Sequence, residues 1–149
     1  MMKGTEPAGT PRVILVYGGL GLIPFLAPPL VGLAAPQFAD VASTLLAIYA
    51  ALILSFLGGA RWGLAASASR PSPLTVSLSM LPTLAGFALL AAPRGYLGLQ
   101  LGGLTIALGL QWLWDIRSEG LPAWYPRLRT PLTVGAILGL AAGLVLLPR

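Results

Sequence analysis

The stretch VASTLLAIYAALILSFLGGARWGL, residues 41–64, decides the fold of this chain. Twenty residues pass from Val41 to Ala60 before the first charged side chain, Arg61. A helix of about 20 apolar residues spans the roughly 30 Å hydrocarbon core of a bilayer, whereas the surface helix of a soluble domain keeps one polar face. We therefore predict that residues 41–64 form a transmembrane helix.

Four more stretches, on either side of the first, have the same character. They run from Val13 to Ala35, from Leu74 to Ala92, from Gly95 to Trp114 and from Pro131 to Leu147. Of the 149 residues, 56% are apolar and 9% are charged, against about 25% charged residues in soluble domains. The sequence predicts an all-α polytopic membrane protein, in which residues 1–149 form one domain, a compact bundle of five transmembrane helices.

Prolines indicate where these helices begin and bend. Thr10–Pro11, Ser72–Pro73 and Thr130–Pro131 each place a hydroxyl N-cap before a proline, which predicts the starts of the first, third and fifth spans. Inside a span, proline removes a backbone donor and favours a kink. The interrupting prolines are Pro24, Pro28 and Pro29 in the first span and Pro82 in the third. These prolines predict either a simple bend that fits the span into the bundle or a broken helix that lines a cavity, for which Pro28–Pro29 is the best candidate.

Arginine and lysine are distributed unevenly between the two sides of the predicted bundle. The side of the N-terminus has seven, and the opposite side has two, Arg94 and Arg149. The seven are Lys3, Arg12, Arg61, Arg70, Arg117, Arg127 and Arg129. Because cytoplasmic loops carry the excess of these residues, we predict an N-terminus inside and a C-terminus outside. The net charge of +5 then reflects topology, and we expect no nucleic-acid partner.

Two further features bear on this topology. The four tryptophans, Trp62, Trp112, Trp114 and Trp124, all fall at the inner level, as expected of an aromatic belt at the membrane interface. A signal peptide cleaved near residues 32–36 is the alternative interpretation of the first stretch, whose apolar run is long for that role.

The chain contains no cysteine and no histidine. Disulfides, thiolate or imidazole metal sites, histidine-ligated haem and histidine proton relays are therefore excluded. The acidic groups near the membrane that remain for acid–base chemistry are Asp40, Asp115 and Glu119. We predict a protein that is not an enzyme and binds no metal and no cofactor.

Small residues provide surfaces for helix packing. Gly135, Gly139 and Gly143 recur every four residues and form a stripe on the fifth span. Membrane helices associate through close packing of such residues. The stripe predicts either packing within the bundle or contact with a second copy or another membrane protein.

Polar side chains at membrane depth follow one face of the fourth helix. Gln100, Gln111 and Asp115 are spaced to share that face, which should point toward protein. A second polar stripe on the third helix consists of Thr75, Ser79 and Thr83. The two stripes are predicted to meet, either as a structural seam or as a narrow polar pathway.

Arg61 lies at the depth predicted for Asp115, near the inner edge of the hydrocarbon. An ion pair between them would join the second and fourth helices. Two alternatives remain open for Arg61: its side chain reaches the headgroups by snorkelling, or the guanidinium binds an anion such as a lipid phosphate or a substrate carboxylate.

The segment from Ile116 to Arg129 is predicted to be an interfacial loop. Its aromatic and basic residues are Trp124, Tyr125, Arg127 and Arg129. Aromatic rings beside arginines suit a segment lying on an anionic leaflet, and they equally suit docking of a partner.

Several short motifs carry a family resemblance. They are Tyr49, the run from Ile53 to Gly63 with its SFLGG and RWG elements, Asp115, Leu121–Pro122, Trp124–Tyr125, Leu128–Arg129 and Leu132–Thr133. In these residues the chain resembles the domain-of-unknown-function 3429 family. The resemblance covers roughly residues 13–147 and implies a small multi-pass protein of bacterial inner membranes or mitochondria, with no catalytic residues to transfer.

Three functional hypotheses follow. The first is a non-catalytic accessory or assembly factor that packs against membrane partners and lipids. The second is a small transporter or channel with a polar path involving Arg61, Gln111 and Asp115, and the third is a lipid- or quinone-modifying enzyme. Arginine outnumbers lysine eight to one, which is typical of GC-rich bacterial genomes and favours a bacterial inner membrane.

Overall fold

The computed structural model describes residues 9–93, 95–119 and 121–147. Every regular element within these ranges is helical. The elements are α1 (Arg12–Leu20), α2 (Ile23–Ala34), a 3-10 turn (Pro36–Phe38), α3 (Ala39–Ala66), α4 (Pro73–Leu78), α5 (Leu81–Leu90), α6 (Leu97–Arg117) and α7 (Tyr125–Leu146). Lys3, Arg94 and Arg149, which entered the charge count, lie outside the described residues.

These elements form five segments long and apolar enough to cross a membrane. They are Arg12–Ala34, Pro36–Ala66, Pro73–Leu90, Leu97–Arg117 and Tyr125–Leu146. The prediction of an all-helical protein with five membrane spans is therefore confirmed. Gly95 has φ +101°, a conformation open to glycine, and lies in the turn between the third and fourth spans.

The first and third spans are each broken just before a predicted proline, Pro24 and Pro82, but the first is not broken at Pro28–Pro29. The first breaks at Gly21–Leu22, and α2 then runs through Pro28 and Pro29 without interruption. The third breaks at Ser79–Met80. A proline ring clashes with the carbonyl four residues earlier, and the carbonyls opposed to Pro24 and Pro82 belong to the last residues of α1 and α4. The break therefore falls one turn before the proline.

A side chain from α3 satisfies a backbone group at the first break. The hydroxyl of Tyr49 donates to the carbonyl oxygen of Gly21 at 2.9 Å. The Tyr49 ring also packs edge-on against Phe25, with 5.1 Å between ring centroids. In lipid, a freed carbonyl must find such a partner within the protein, so this contact stabilises the break.

The predicted start of the fifth span was wrong. Helix α7 begins at Tyr125 with Pro126 in its first turn, and Pro131 lies inside the helix. Thr130 is not an N-cap, because its hydroxyl donates to the carbonyl of Pro126 at 3.0 Å. At the third span the cap prediction holds, since the Ser72 hydroxyl accepts from the backbone N–H of Thr75 at 3.4 Å.

Helix α3 provides the centre of the bundle. It packs against α2, α5 and α6, while α7 packs against α2 and α6. Its buried face consists largely of alanine and leucine, including Leu46, Ala47, Ala50 and Leu54. Alanines let neighbouring helix backbones approach closely, which is how membrane helices gain packing energy in the absence of a hydrophobic driving force.

The glycine stripe of α7 packs within this bundle. A Cβ at Gly135 would lie 2.8 Å from the side chain of Leu22, and one at Gly143 would overlap Leu46. Gly139 lies against the carbonyl of Phe25. Pro29 has no N–H to donate to that carbonyl, so the glycine fits beside a backbone group that α2 leaves free.

The polar stripes of the third and fourth spans do not meet as predicted. Thr83 shares a hydrogen bond of 3.0 Å with Ser55 of α3. The Ser79 hydroxyl donates to the carbonyl of Val76, within its own turn. The polar face of the third span is therefore directed toward the second span, since α5 packs more extensively on α3 than on α6.

Adjacent glycines in α3 provide a matched test of this packing. A Cβ at Gly58 would lie 2.8 Å from the carbonyl oxygen of Ser79, whereas one at Gly59 meets nothing within 4 Å. We expect Gly58→Ala to lower the free energy of unfolding by about 1–3 kcal/mol, as overpacking does, and Gly59→Ala to leave it unchanged or raise it slightly. SDS-induced unfolding of both variants measures the difference. Equal effects would contradict the close packing of α3 on the third span.

Candidate functional site

The centre of the site is the carboxylate of Asp115, near the end of α6. Its side chain is 0% exposed. Oδ1 accepts a hydrogen bond from Nε2 of Gln111 at 3.2 Å, and Oδ2 accepts one from Nε of Arg129 at 3.0 Å. A buried charge is tolerated when it is paired and hydrogen-bonded, and both oxygens of Asp115 meet this condition.

Arg129 approaches the carboxylate from α7. It is 7% exposed and belongs to the buried face of that helix, one turn before Thr133. Its Nε makes the ion pair with Asp115, while its Nη2 is buried and has no hydrogen-bond partner among the described residues. A buried guanidinium donor without an acceptor costs free energy, so this arginine is incompletely satisfied.

Arg61 approaches the same carboxylate from α3, more loosely. Its Nε lies 3.8 Å from Oδ1 of Asp115, within ion-pair distance but without a hydrogen bond. Its Nη2 donates to the hydroxyl of Ser118. The guanidinium carbon also lies 4.6 Å from the centre of the Trp114 ring, a cation–π geometry. Arg61 is thus held by several partial contacts.

Together these residues form what we call the charge cluster: Arg61, Asp115 and Arg129, with Gln111 bonded to the carboxylate. Two guanidinium groups and one carboxylate leave it with a net charge of +1. The cluster joins the second, fourth and fifth spans through one side chain of the fourth. Among the described residues, both ion pairs converge on Asp115.

A groove adjoins the charge cluster. It has a volume of about 500 Å³ and runs between the first, second and fifth spans. Its walls are almost entirely apolar and aromatic, and they include Tyr17, Phe25, Phe56, Trp124, Tyr125 and Arg129. Arg129 brings the positive charge of the cluster to the wall of this groove. A second, smaller cavity of about 280 Å³ lies between the third and fourth spans beside Gln111 and Trp114.

The structure brings together some of the residues that the sequence singled out. Arg61, Gln111 and Asp115 meet in the cluster. Gln100 lies apart, near the other end of α6, where its Nε2 is 3.4 Å from the carbonyl of Ala92. On the protein-facing side of α6, buried leucines lie between Gln100 and Gln111, namely Leu101, Leu104 and Leu108.

The predicted interfacial loop was wrong over most of its basic residues. Tyr125, Arg127 and Arg129 belong to α7, and Trp124 directly precedes it. Arg127 is exposed, whereas Arg129, which follows it by two residues in the same helix, is buried. The reason is that Pro126, not Pro131, occupies the first turn of the helix, where a missing N–H has no cost.

Arg129 as a partner of Asp115 is the residue that reasoning from sequence missed. A signal was present, because Arg129, Thr133, Ala136, Leu140 and Gly143 repeat at spacings of four and three residues. That is the period of one helix face, and all five are buried. Extending the buried face of the fifth span toward lower residue numbers would have placed Arg129 in the core of the bundle.

Comparison with known proteins gives the family. The model of a family described as "Protein of unknown function (DUF3429)" matches residues 10–145, nearly the whole chain. The chain belongs to the DUF3429 family. The resemblance noted in the sequence motifs is thereby confirmed, and the matched range includes the charge cluster of this DUF3429 protein.

Two curated relatives of this DUF3429 protein are named Transmembrane protein 69. The one from Xenopus tropicalis is 36% identical over 141 residues, covering 91% of the chain and 54% of the relative. The one from Mus musculus is 31% identical over 146 residues, covering 92% and 57%. The chain thus spans just over half the length of these relatives. No solved structure matches it. The family and the five spans make it a multi-pass integral membrane protein.

Proposed function

We propose that the chain is a non-catalytic accessory or assembly protein of the membrane. The observation that supports this most is the state of Asp115, whose two oxygens are bonded to Gln111 and Arg129. A general acid or base must reach a substrate and exchange its proton there. A fully buried carboxylate that is bonded on both oxygens and paired with arginines of two other helices holds three helices together instead, which suits a packing role.

The proposal includes an orientation and a location. Arg70, Arg117 and Arg127 are exposed at the end of the bundle that contains the charge cluster. The four tryptophans belong to the same ends of α3, α6 and α7. Positive charge and tryptophan at one end favour a cytoplasmic side with an aromatic belt there, so the N-terminus would be inside and the C-terminus outside. The abundance of arginine over lysine supports a bacterial inner membrane.

A partner would meet a surface that the chain's own helices leave open. Gly135, Gly139 and Gly143 already contact the first and second spans, so a second copy could use them only by displacing those helices. On α3, by contrast, Gly59 and Gly63 are exposed and have open space at their Cβ positions. They share an outward face with Phe56, and small residues four apart favour helix–helix contact in lipid.

Cysteine crosslinking tests this surface, because the chain has no cysteine of its own. Gly59→Cys, treated in native membranes with a bifunctional maleimide, is expected to give a discrete band of higher mass. Val145→Cys is the matched control, since that side chain is 80% exposed on α7, away from the proposed surface. The proposal fails if Gly59→Cys remains monomeric, or if both variants give the same diffuse products.

The structure gives less support to a transport path through Arg61, Gln111 and Asp115. Those three side chains are bonded within the charge cluster, and the buried leucines of α6 separate Gln111 from Gln100. A pathway for solutes needs polar groups along its length. Solute or proton flux in liposomes that is abolished by Asp115→Asn, in a variant shown to remain folded, would favour transport over the accessory role.

A further inference from the structure

We propose that the groove between the first, second and fifth spans binds one anionic phospholipid. One acyl chain would lie in the groove, and the phosphate would accept a hydrogen bond from Arg129. This inference uses the same charge cluster as the accessory role but does not depend on that role, because it rests on the groove and on the incompletely bonded Arg129, and its test measures lipid retention.

The charge balance of the cluster indicates an anion. Arg61 and Arg129 face a single carboxylate, which leaves a net charge of +1 beneath the groove. Both arginines are more than nine-tenths buried. Uncompensated charge in such surroundings is costly, and one anionic headgroup would neutralise it.

The bonding of Arg129 indicates where the headgroup would lie. Its Nε is bonded to Asp115, but Nη2 has no acceptor among the residues described. An arginine can bond two oxyanions through separate edges of its guanidinium group, and phosphate oxygens fit that edge well. Nη2 is enclosed by protein, so binding requires a small outward shift of the guanidinium group toward the groove.

The shape and position of the groove indicate a lipid. At about 500 Å³ it falls in the range of small-molecule sites, and its walls suit a hydrocarbon chain. Tyr17 of α1 and Phe56 of α3 line it and are 70% and 69% exposed, so it opens sideways toward the acyl chains of the bilayer. Trp124 also lines the groove, as expected for an indole ring at headgroup depth.

Native mass spectrometry of the intact chain with equal amounts of phosphatidylglycerol and phosphatidylcholine tests the proposal. We expect one phosphatidylglycerol per chain, retained about tenfold over phosphatidylcholine. Both lipids carry the phosphate, but phosphatidylcholine adds a choline cation that would lie near the charge of Arg129, so the cluster favours the lipid with net negative charge. Equal retention of the two lipids would overturn the proposal. Displacement of phosphatidylglycerol by equimolar oleate would also overturn it and would assign the groove to a free carboxylate.

One double variant separates the headgroup contact from general folding. Asp115→Asn with Arg129→Gln removes the Nη2 donor but keeps the net charge of the cluster at +1, because Arg61 remains. We expect this double variant to retain both lipids equally. Retention of the tenfold preference would show that Arg129 does not bind the headgroup and would refute the site.

The acyl-chain contact is tested from the other side of the groove. Ala60 lines it from α3 without belonging to the charge cluster, so Ala60→Trp should fill it and reduce lipid retention at least about fivefold, through loss of the groove's apolar contact. Leu52→Trp, also on α3 but exposed outside the groove, is the matched control and should retain the lipid. An occupied groove in Ala60→Trp would contradict the proposed site even if phosphatidylglycerol were still preferred.

Discussion

Asp115→Asn is expected to lower the free energy of unfolding by about 3–5 kcal/mol, the cost of breaking a buried ion pair by removing one partner. The substitution leaves two buried arginines, Arg61 and Arg129, without a counter-charge. Asparagine can still accept hydrogen bonds from Arg129, so the loss is mainly electrostatic rather than one of shape.

The geometry predicts an order among the three charged residues. Removing Asp115 leaves two charges unpaired, whereas Arg129→Gln removes the 3.0 Å hydrogen-bonded pair and leaves Asp115 with the looser contact to Arg61. Arg61→Gln should have the smallest effect, since its Nε lies 3.8 Å from the carboxylate and its contacts to Ser118 and Trp114 carry no counter-charge.

Unfolding of the purified chain in mixed detergent and SDS, followed by circular dichroism, measures these differences. Asp40→Asn is the matched control, because Asp40 is an exposed aspartate in the first turn of α3. Adding Arg129→Gln to Asp115→Asn should recover part of the loss, since it removes one unpaired charge. An Asp115→Asn variant as stable as the Asp40→Asn control would show that the cluster does not hold the spans together.

The sequence was sufficient to predict the pairing of Arg61 with Asp115 in the charge cluster, but it was not sufficient to predict that Arg129 joins them. Arg61 and Asp115 could be paired because each ends an apolar span, so their depths follow from the span boundaries. Arg129 could not be placed in the same way, because two prolines compete as the start of α7. Both Pro126 and Pro131 are acceptable at a helix start, and nothing in the local sequence distinguishes them.

The broken spans show a similar limit. Several prolines in the first span were visible, but a local pattern does not say which of them breaks the helix. The break falls just before Pro24, whereas Pro28 and Pro29 lie in unbroken helix. What differs is the tertiary surroundings: Tyr49 bonds the carbonyl of Gly21 at the break, and Gly139 packs against the carbonyl that Pro29 leaves free. Both partners are distant in sequence.

The contact of Gly139 with α2 leads to a second large effect. Gly139→Leu is expected to lower the free energy of unfolding by about 3 kcal/mol or more, at the upper end of overpacking effects. A Cβ at this position would overlap the carbonyl oxygen of Phe25 and lie 2.9 Å from its Cβ. A backbone carbonyl cannot rotate away as a flexible side chain can, so α2 and α7 would have to separate along the first and fifth spans.

Gly109→Leu on α6 is the matched control, because a Cβ there meets nothing within 4 Å. The same glycine-to-leucine change should be tolerated at that site, where the added side chain enters lipid. A second comparison is Gly135→Ala, whose Cβ would meet the movable side chain of Leu22 at 2.8 Å and should cost less than Gly139→Leu. If Gly139→Leu unfolds at the same SDS fraction as Gly109→Leu, then α2 and α7 do not pack through this glycine. In that case the groove that borders α2 and α7 could not be formed by close packing of these two helices.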